Sequence, residues 1–310
     1  MSAHVRVVLD YLHPWPNSAG FFVARDRGWY EDAGLDVELR THDYGWGDTL
    51  EYLARRQAEF GVAPPNRLLV RRERGEPLVA VAAINHEGLE TVQVGRRSGI
   101  SRPRELEGRR VGYATTARGR AMVRTIVAAD GGDPGSVTTV DTGSTELTPE
   151  FLQRGTVDAT FGGYFAWDAI TRTVPEEAAL VWRMRDLGVP RYHSYVLGAH
   201  ESLVADAPDL VRAFLAATGR GFFTAASQQR RTVALIEKVV PYVPSWRLAR
   251  SLALVAGTWS YEGAWGTLRD DLMSPYAHWL ADHAILAAPE SWRQAVTNEL
   301  LPQDKVDVFR

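Results

Sequence analysis

The sequence contains no cysteine. Disulfides, thiolate metal sites and a cysteine nucleophile are therefore excluded, and cysteine usage says nothing about the redox compartment. Lysine is almost as scarce. Among 310 residues only Lys238 and Lys305 occur, and the other basic residues are arginines. Nearly every candidate for a Schiff-base lysine is thereby removed. No run approaches the roughly 18 apolar residues needed to cross a bilayer as a helix. There is no G-x-x-x-x-G-K-S/T phosphate loop, no G-x-S-x-G elbow, and neither HExxH nor CxxC. His278 and His283 are spaced so that they do not share a helical face. A formal net charge of −3 gives no reason to expect nucleic acid or an anionic membrane as partner. Neither a cofactor nor a metal is expected.

What is present is concentrated near the start. A short apolar run ends in Asp10, and an aromatic loop follows with Tyr11, His13, Pro14, Trp15, Pro16 and Asn17. A helix-like stretch then runs from Gly20 to Gly28, and a second apolar strand from Leu35 to Leu39. The aromatics thus gather at a strand's carboxyl end, where open α/β sheets hold small ligands. The following helix would aim its free N–H groups and positive dipole end into the same crevice. This grouping suggests a small flat ligand, stacked on rings and fixed by a few polar groups.

The chain is longer than one compact core usually supports, so two lobes are expected. Short β-rich runs alternate with helical patterns, the α/β signature. Strands are expected at 5–9, 36–39, 59–62, 78–83, 91–95, 110–113, 137–140, 159–161 and 192–198. After Ala199 long helices dominate, at 208–227, 231–239, 246–255, 274–282 and 289–299, with Asp206 expected to cap the first. Chain crossings near 85–92 and 186–196 give a discontinuous first lobe, 1–90 plus 193–310, and a second lobe, 91–192.

Six groups of residues are candidates for ligand contact. Tyr11, Trp15 and Asn17 offer rings and an amide, or form a loop packed by its own aromatics. Pro64 lies where a strand turns into a helix, as in any βα turn. Thr115 and Thr116 resemble hydroxyl and amide donors at a helix start. Gly163, Tyr164, Trp167 and Asp168 follow the strand at 159–161 with a close-approach glycine, rings and a carboxylate, or form core aromatics beside a solvated acid. Asn85 and His86 sit at another strand end. Tyr192 and His193 line a cleft or open the return strand. Trp259, Trp265, Trp279 and Trp292 are expected in the core.

The stretch LDYLHPWPNSAGFFVARDRGWYEDAGLDVEL resembles the opening of the SsuA/THI5-like (NMT1-like) family of periplasmic-type binding proteins. PRELEGRRVGY at 103–113, the segment 188–214 and the terminal WRQAVTNELLP are similar to further blocks of that family, in the same order. The resemblance is closest to binders of thiamine-pyrimidine precursors. It implies a type II periplasmic-binding-protein fold, two α/β lobes around a ligand cleft with a helical C-terminal third. By position, Tyr11 takes the place of the family's ring after Leu-Asp, Asn17 that of a loop Asn, and Asp168 that of a Glu. The family's fungal pyrimidine synthases carry a Lys and a His where this sequence has Ala63 and Arg67, and a Cys-rich motif that is missing here. Their chemistry is not expected.

The resulting expectation is a solute-binding protein, not an enzyme. It would capture a small heteroaromatic ligand for an ABC importer, with an ABC permease as partner if the protein is exported, and would be a monomer. The alternatives are a cytoplasmic enzyme on the same fold, pyrimidine synthase-like or a lyase, and a leaderless cytoplasmic ligand sensor. The N-terminal residues enter a strand directly, with no leader pattern. The expected location is therefore extracytoplasmic if a leader was removed, and cytoplasmic if the sequence is complete.

Overall fold

The computed structural model describes residues 2–10, 14–96, 98–143, 151–152, 154–167 and 179–302. The chain forms two units. One comprises Met1–His86, Tyr192–Ala281 and Leu286–Arg310, the other Glu87–Arg191 and Asp282–Ile285.

The first unit is built on strands β1 (Ala3–Leu9), β2 (Leu35–Thr41), β3 (Phe60–Ala63) and β4 (Leu78–Ala83), joined by β10 (Val196–His200). Their order is β2-β1-β3-β10-β4. β1 runs parallel to β2 and β3, whereas β10 runs antiparallel to both β3 and β4. The second unit holds β5 (Glu90–Gly95), β6 (Arg110–Tyr113), β7 (Thr138–Asp141), β8 (Ala159–Tyr164) and β9 (Ala179–Arg183), in the order β7-β6-β8-β5-β9. β6 is parallel to β7 and β8, and β5 is antiparallel to β8 and β9. The two sheets share one plan. In each, the antiparallel strand is the first strand after the chain enters that unit.

The helices follow from capping and apolar periodicity. They are α1 (Ala19–Asp26), α2 (Trp29–Asp32), α3 (Thr49–Ala54), α4 (Pro65–Glu73), α5 (Ala117–Ala129), α6 (Glu201–Asp206), α7 (Pro208–Ser227), α8 (Gln229–Val239), α9 (Ser245–Val255) and α10 (Asp270–Asp282). Asp48 caps α3 by accepting from the Glu51 N–H, and Thr116 caps α5 by accepting from Gly119. In the first unit Phe214 of α7 stacks on Phe60 at 4.1 Å and on Tyr30 at 5.4 Å. Gly20 and Gly221 let α1 and α7 approach closely. A Cβ on Gly221 would stand 2.1 Å from the Gly20 carbonyl oxygen. β4 ends its sheet yet is buried throughout. Bridges from Val296 to Ala80 and from Gly266 to Ala83 cover its outer edge.

Four expectations are corrected. The strand expected at 159–161 continues to Tyr164, because Gly163 pairs with Thr91 and its carbonyl accepts the Thr91 hydroxyl. The glycine pair is therefore strand rather than loop. Asp206 ends α6, and the residue before α7 is Ala207, which makes no side-chain cap. The helix expected at 289–299 is a 3-10 turn, Pro289–Gln294, because Val296 then pairs alongside Ala80. The return strand begins at Val196, so Tyr192 and His193 precede it. Trp259, Trp265, Trp279 and Trp292 are all buried.

Candidate functional site

Because β10 opposes its neighbours, the carboxyl ends of β1, β3 and β4 and the amino end of β10 meet at one edge of the first sheet. A small pocket with a cavity volume of about 10 Å3 lies there, lined by Asp10, Trp15, Asn17, Ser18, Phe21, Val62, Ile84 and Tyr195. Asp10 follows β1 directly and hydrogen-bonds the Tyr195 side chain. Burial raises the Asp10 carboxyl above the ordinary aspartate range, opposed by Arg67, the Tyr195 hydroxyl and His42. Trp15 is only 2 % exposed and presents its ring as a wall of the pocket. Among the described residues this edge thus combines a flat aromatic surface, a phenol and an acid held away from its usual ionisation.

The expected contact residues of this unit divide by what their polar atoms do. Asn17 and Asn85 are buried and bond each other, Asn17 Nδ2 to Asn85 Oδ1 at 3.2 Å and Asn85 Nδ2 to Asn17 Oδ1 at 2.8 Å. Asn85 Nδ2 also donates to Thr258 Oγ1 at 2.7 Å, and Trp259 Nε1 donates to Asn17 Oδ1 at 2.9 Å. Pro64 precedes α4 and has no N–H. Its carbonyl accepts from Arg67 and Leu68. Tyr192 is buried, stacked at 4.7 Å on Tyr276 of α10.

His193 is fully enclosed. Its Nε2 accepts the Arg269 backbone N–H at 3.1 Å, so Nδ1 carries the proton and donates to the Asn85 carbonyl at 2.9 Å. Burial lowers its pKa to about 4. His86 packs edge-on against this ring, centroids 5.2 Å apart, and burial lowers its pKa to about 3.

In the second unit the corresponding sheet edge carries Tyr113, Asp141, Tyr164 and Glu90. Thr116 is spent on capping α5, whereas the Thr115 N–H donates to Asp141 at 3.2 Å. The N–H groups of Gly143 and Thr115 hold the Asp141 carboxyl below the usual range. Glu90 receives both terminal nitrogens of Arg118. Tyr164 is half-buried and Trp167 is buried. Tyr11 and Asp168 lie outside the described residues. Among the described residues no three His, Asp or Glu side chains cluster as a metal site, and no helix is long and apolar enough to cross a membrane.

Residues 15–232 match the family described as NMT1/THI5 like. The chain belongs to the NMT1/THI5-like family. Its relatives include the formylaminopyrimidine-binding protein of Halalkalibacterium halodurans, 26% identical over 220 residues that span 70% of this chain and 65% of that protein. They also include the 4-amino-5-hydroxymethyl-2-methylpyrimidine phosphate synthase of Schizosaccharomyces pombe, 21% identical over 67% of this chain and 63% of that one. The matched region thus spans somewhat less than two thirds of these relatives' own length. In structure the chain is similar to the periplasmic aliphatic sulphonate binding protein SsuA from Escherichia coli, with a TM-score of 0.77, 15% identity, and 100% and 97% of the two chains covered. Its fold is that of the type II periplasmic binding proteins. Within this NMT1/THI5-like chain, Ala63 is buried in β3, and Arg67, in the first turn of α4, lies 3.9 Å from the Asp48 carboxylate while its charge also favours ionised Asp10.

The sequence groups Tyr195 with Tyr192 and His193 as a possible cleft segment, but nothing in it singles out Asp10, or the later Thr258, Trp259, Tyr261 and Arg269, as neighbours of this edge. Asp10 is marked only as the acid that ends an otherwise apolar strand. The others come from distant segments, and no local spacing marks them.

Proposed function

We propose that this chain is a solute-binding protein that captures a small heteroaromatic ligand of the aminopyrimidine class for an ABC importer, without making or breaking bonds. The observation that carries the reading is Asp10, a carboxyl with raised pKa beside the Trp15 ring and the Tyr195 hydroxyl. A ring wall gives stacking area, and a buried carboxyl gives an acceptor for an exocyclic amine. Membership of the NMT1/THI5-like family and likeness to SsuA support a binding role. The name of the Halalkalibacterium halodurans relative supports the pyrimidine class. Ala63 and Arg67 stand where resemblance places the lysine and histidine of the fungal synthases, and neither supplies a nucleophile or a general base. An ABC permease is the expected partner of the exported form.

Isothermal calorimetry tests this with formylaminopyrimidine, 4-amino-5-hydroxymethyl-2-methylpyrimidine and an alkanesulfonate. A pyrimidine should bind with one-to-one stoichiometry and be recovered unchanged by mass spectrometry. Preference for the sulfonate would overturn the ligand class. A new product would overturn the binding-only role.

A further inference from the structure

The reciprocal bonds of His193 leave a contrast beside it. His86 is 4 % exposed, yet neither of its ring nitrogens has a hydrogen-bond partner among the described residues. Arg269 is 8 % exposed. Its Nε donates to Asp271 Oδ1 at 2.9 Å and its Nη2 to Asp271 Oδ2, while its Nη1 is buried without a partner. The two side chains converge on one ring. The Arg269 guanidinium carbon stands 3.3 Å from the centre of Tyr261, and the His86 ring lies 6.2 Å from it. All of these residues belong to the first unit. Backbone bonds fix the pair, His86 N to the Thr258 carbonyl at 2.7 Å and Arg269 N to His193.

We propose that His86 and Arg269 Nη1 together bind a small anion, a carboxylate or an oxyanion such as nitrate. A buried guanidinium N–H and a buried imidazole N–H both require an acceptor, and leaving them without one is costly. The charged groups facing His86 are Arg269, His193 and Asp271, with the Tyr261 ring beside them. Asp271 already bonds Nε and Nη2 and is mostly exposed, so its charge is partly spent on solvent. Arg269 acts on His86 in the same direction as burial. The local potential therefore favours a negative guest, which would accept a charge-assisted bond from Nη1 and a second bond from the imidazole. Such a guest would also favour protonation of His86, so its binding takes up a proton as the pH is lowered. A bridging water would satisfy the same donors but would not couple to salt identity or to His86 titration.

The test uses the whole chain with sodium formate and sodium nitrate as probes, against sodium gluconate, a much bulkier carboxylate, at equal ionic strength. Thermal unfolding should show a saturable rise in Tm with formate or nitrate and none with gluconate, since a ligand of the native state stabilises by mass action. Arg269→Gln and His86→Phe should each weaken the response about tenfold or abolish it. In the unsubstituted chain, ring-nitrogen NMR should show the His86 titration moving up toward the ordinary imidazole range when formate is added. This readout stands even where a variant fails to fold. An unmoved His86 titration, or responses to formate and gluconate that are equal in all variants, would overturn the anion site and leave water as the guest.

Discussion

Asn17 and Asn85, 68 positions apart in sequence, exchange side-chain amide hydrogen bonds in both directions at the strand-end edge of the first unit. The pair is closed on its other sides by the Thr258 hydroxyl and the Trp259 indole N–H. Thr258 in turn donates to the Val255 carbonyl at 2.7 Å. Asn17, the residues just after β4 and the segment after α9 are thereby held by one buried polar network. Such networks are stable when every member is satisfied and expensive when one is removed. Asn17 therefore sets the position of the Trp15 wall, and its carbonyl oxygen is already shared by two donors.

Asn85→Ala strands the Asn17 amide and removes the donor to Thr258. A loss of roughly 1–3 kcal/mol of stability is expected for buried groups left unpaired. Urea unfolding checks it. Coupling with Asn17→Ala should be strong, so that the double variant loses less than the sum of the single losses. Strict additivity would show that the pair does not act as a unit.

Gly221→Ala forces a methyl group to within 2.1 Å of the Gly20 carbonyl oxygen and 3.0 Å of the Ala24 Cβ. The neighbours are backbone and a short side chain, so relief requires moving α1 off α7. Overpacking of this kind costs about 1–3 kcal/mol or more. Gly257→Ala, which meets nothing within 4 Å, serves as the control. Equal unfolding midpoints for the two variants would refute the close-packing argument.

The fold class was legible in the sequence because it rests on local pattern. Apolar runs flanked by turn residues located β1, β4 and β6, and periodicity with Pro208 at its start located α7. What escaped depends on partners distant in sequence. β8 extends through Gly163 only because Thr91 pairs with it across the sheet. Pro289–Gln294 stops short because Val296 is drawn to the edge of β4. At the site, ring-rich Trp15 was visible, but Trp259 reaches Asn17 across 242 positions. The commitment of His193 to two backbone groups likewise follows from the tertiary placement of Arg269, which has no periodic trace.

Acid should weaken the fold before the carboxylates titrate. His193 and His86 have an ordinary value of 6.5 and are lowered in the folded state to about 4 and about 3. Between these limits the unfolded chain binds more protons, so stability is fully present above 6.5 and falls as the pH drops toward 4. Each histidine contributes a slope of up to about 1.4 kcal/mol per pH unit in that window. Glu51 and Glu59, lowered from 4.5 by Arg71 and Arg6, act only further down. Urea midpoints measured at several pH values should hold level from 7.5 to about 6.5 and decline from there to 4.5, with His200, also lowered by burial, adding to the slope, and His86→Phe should flatten the decline. A flat profile above pH 5 would contradict the enclosure of both rings.

Ligand binding should depend on the charge of Asp10. Burial raises its pKa, while Arg67, Tyr195 and His42 hold it from rising further. A pyrimidine amine donating to this group favours the carboxylate, so binding releases a proton when the free protein carries one. Affinity is therefore highest above the raised pKa and falls as the pH is lowered through it. Asp10→Asn replaces the charged acceptor with a neutral one and should weaken binding by roughly 1.5–3 kcal/mol at neutral pH, the worth of a hydrogen bond to a charged group. It should also make the affinity independent of pH over this range. Calorimetry in two buffers of different ionisation enthalpy measures both the affinity and the proton count. A variant that binds as tightly as the parent, with the same proton release, would move the acceptor for the ligand's amine to another residue.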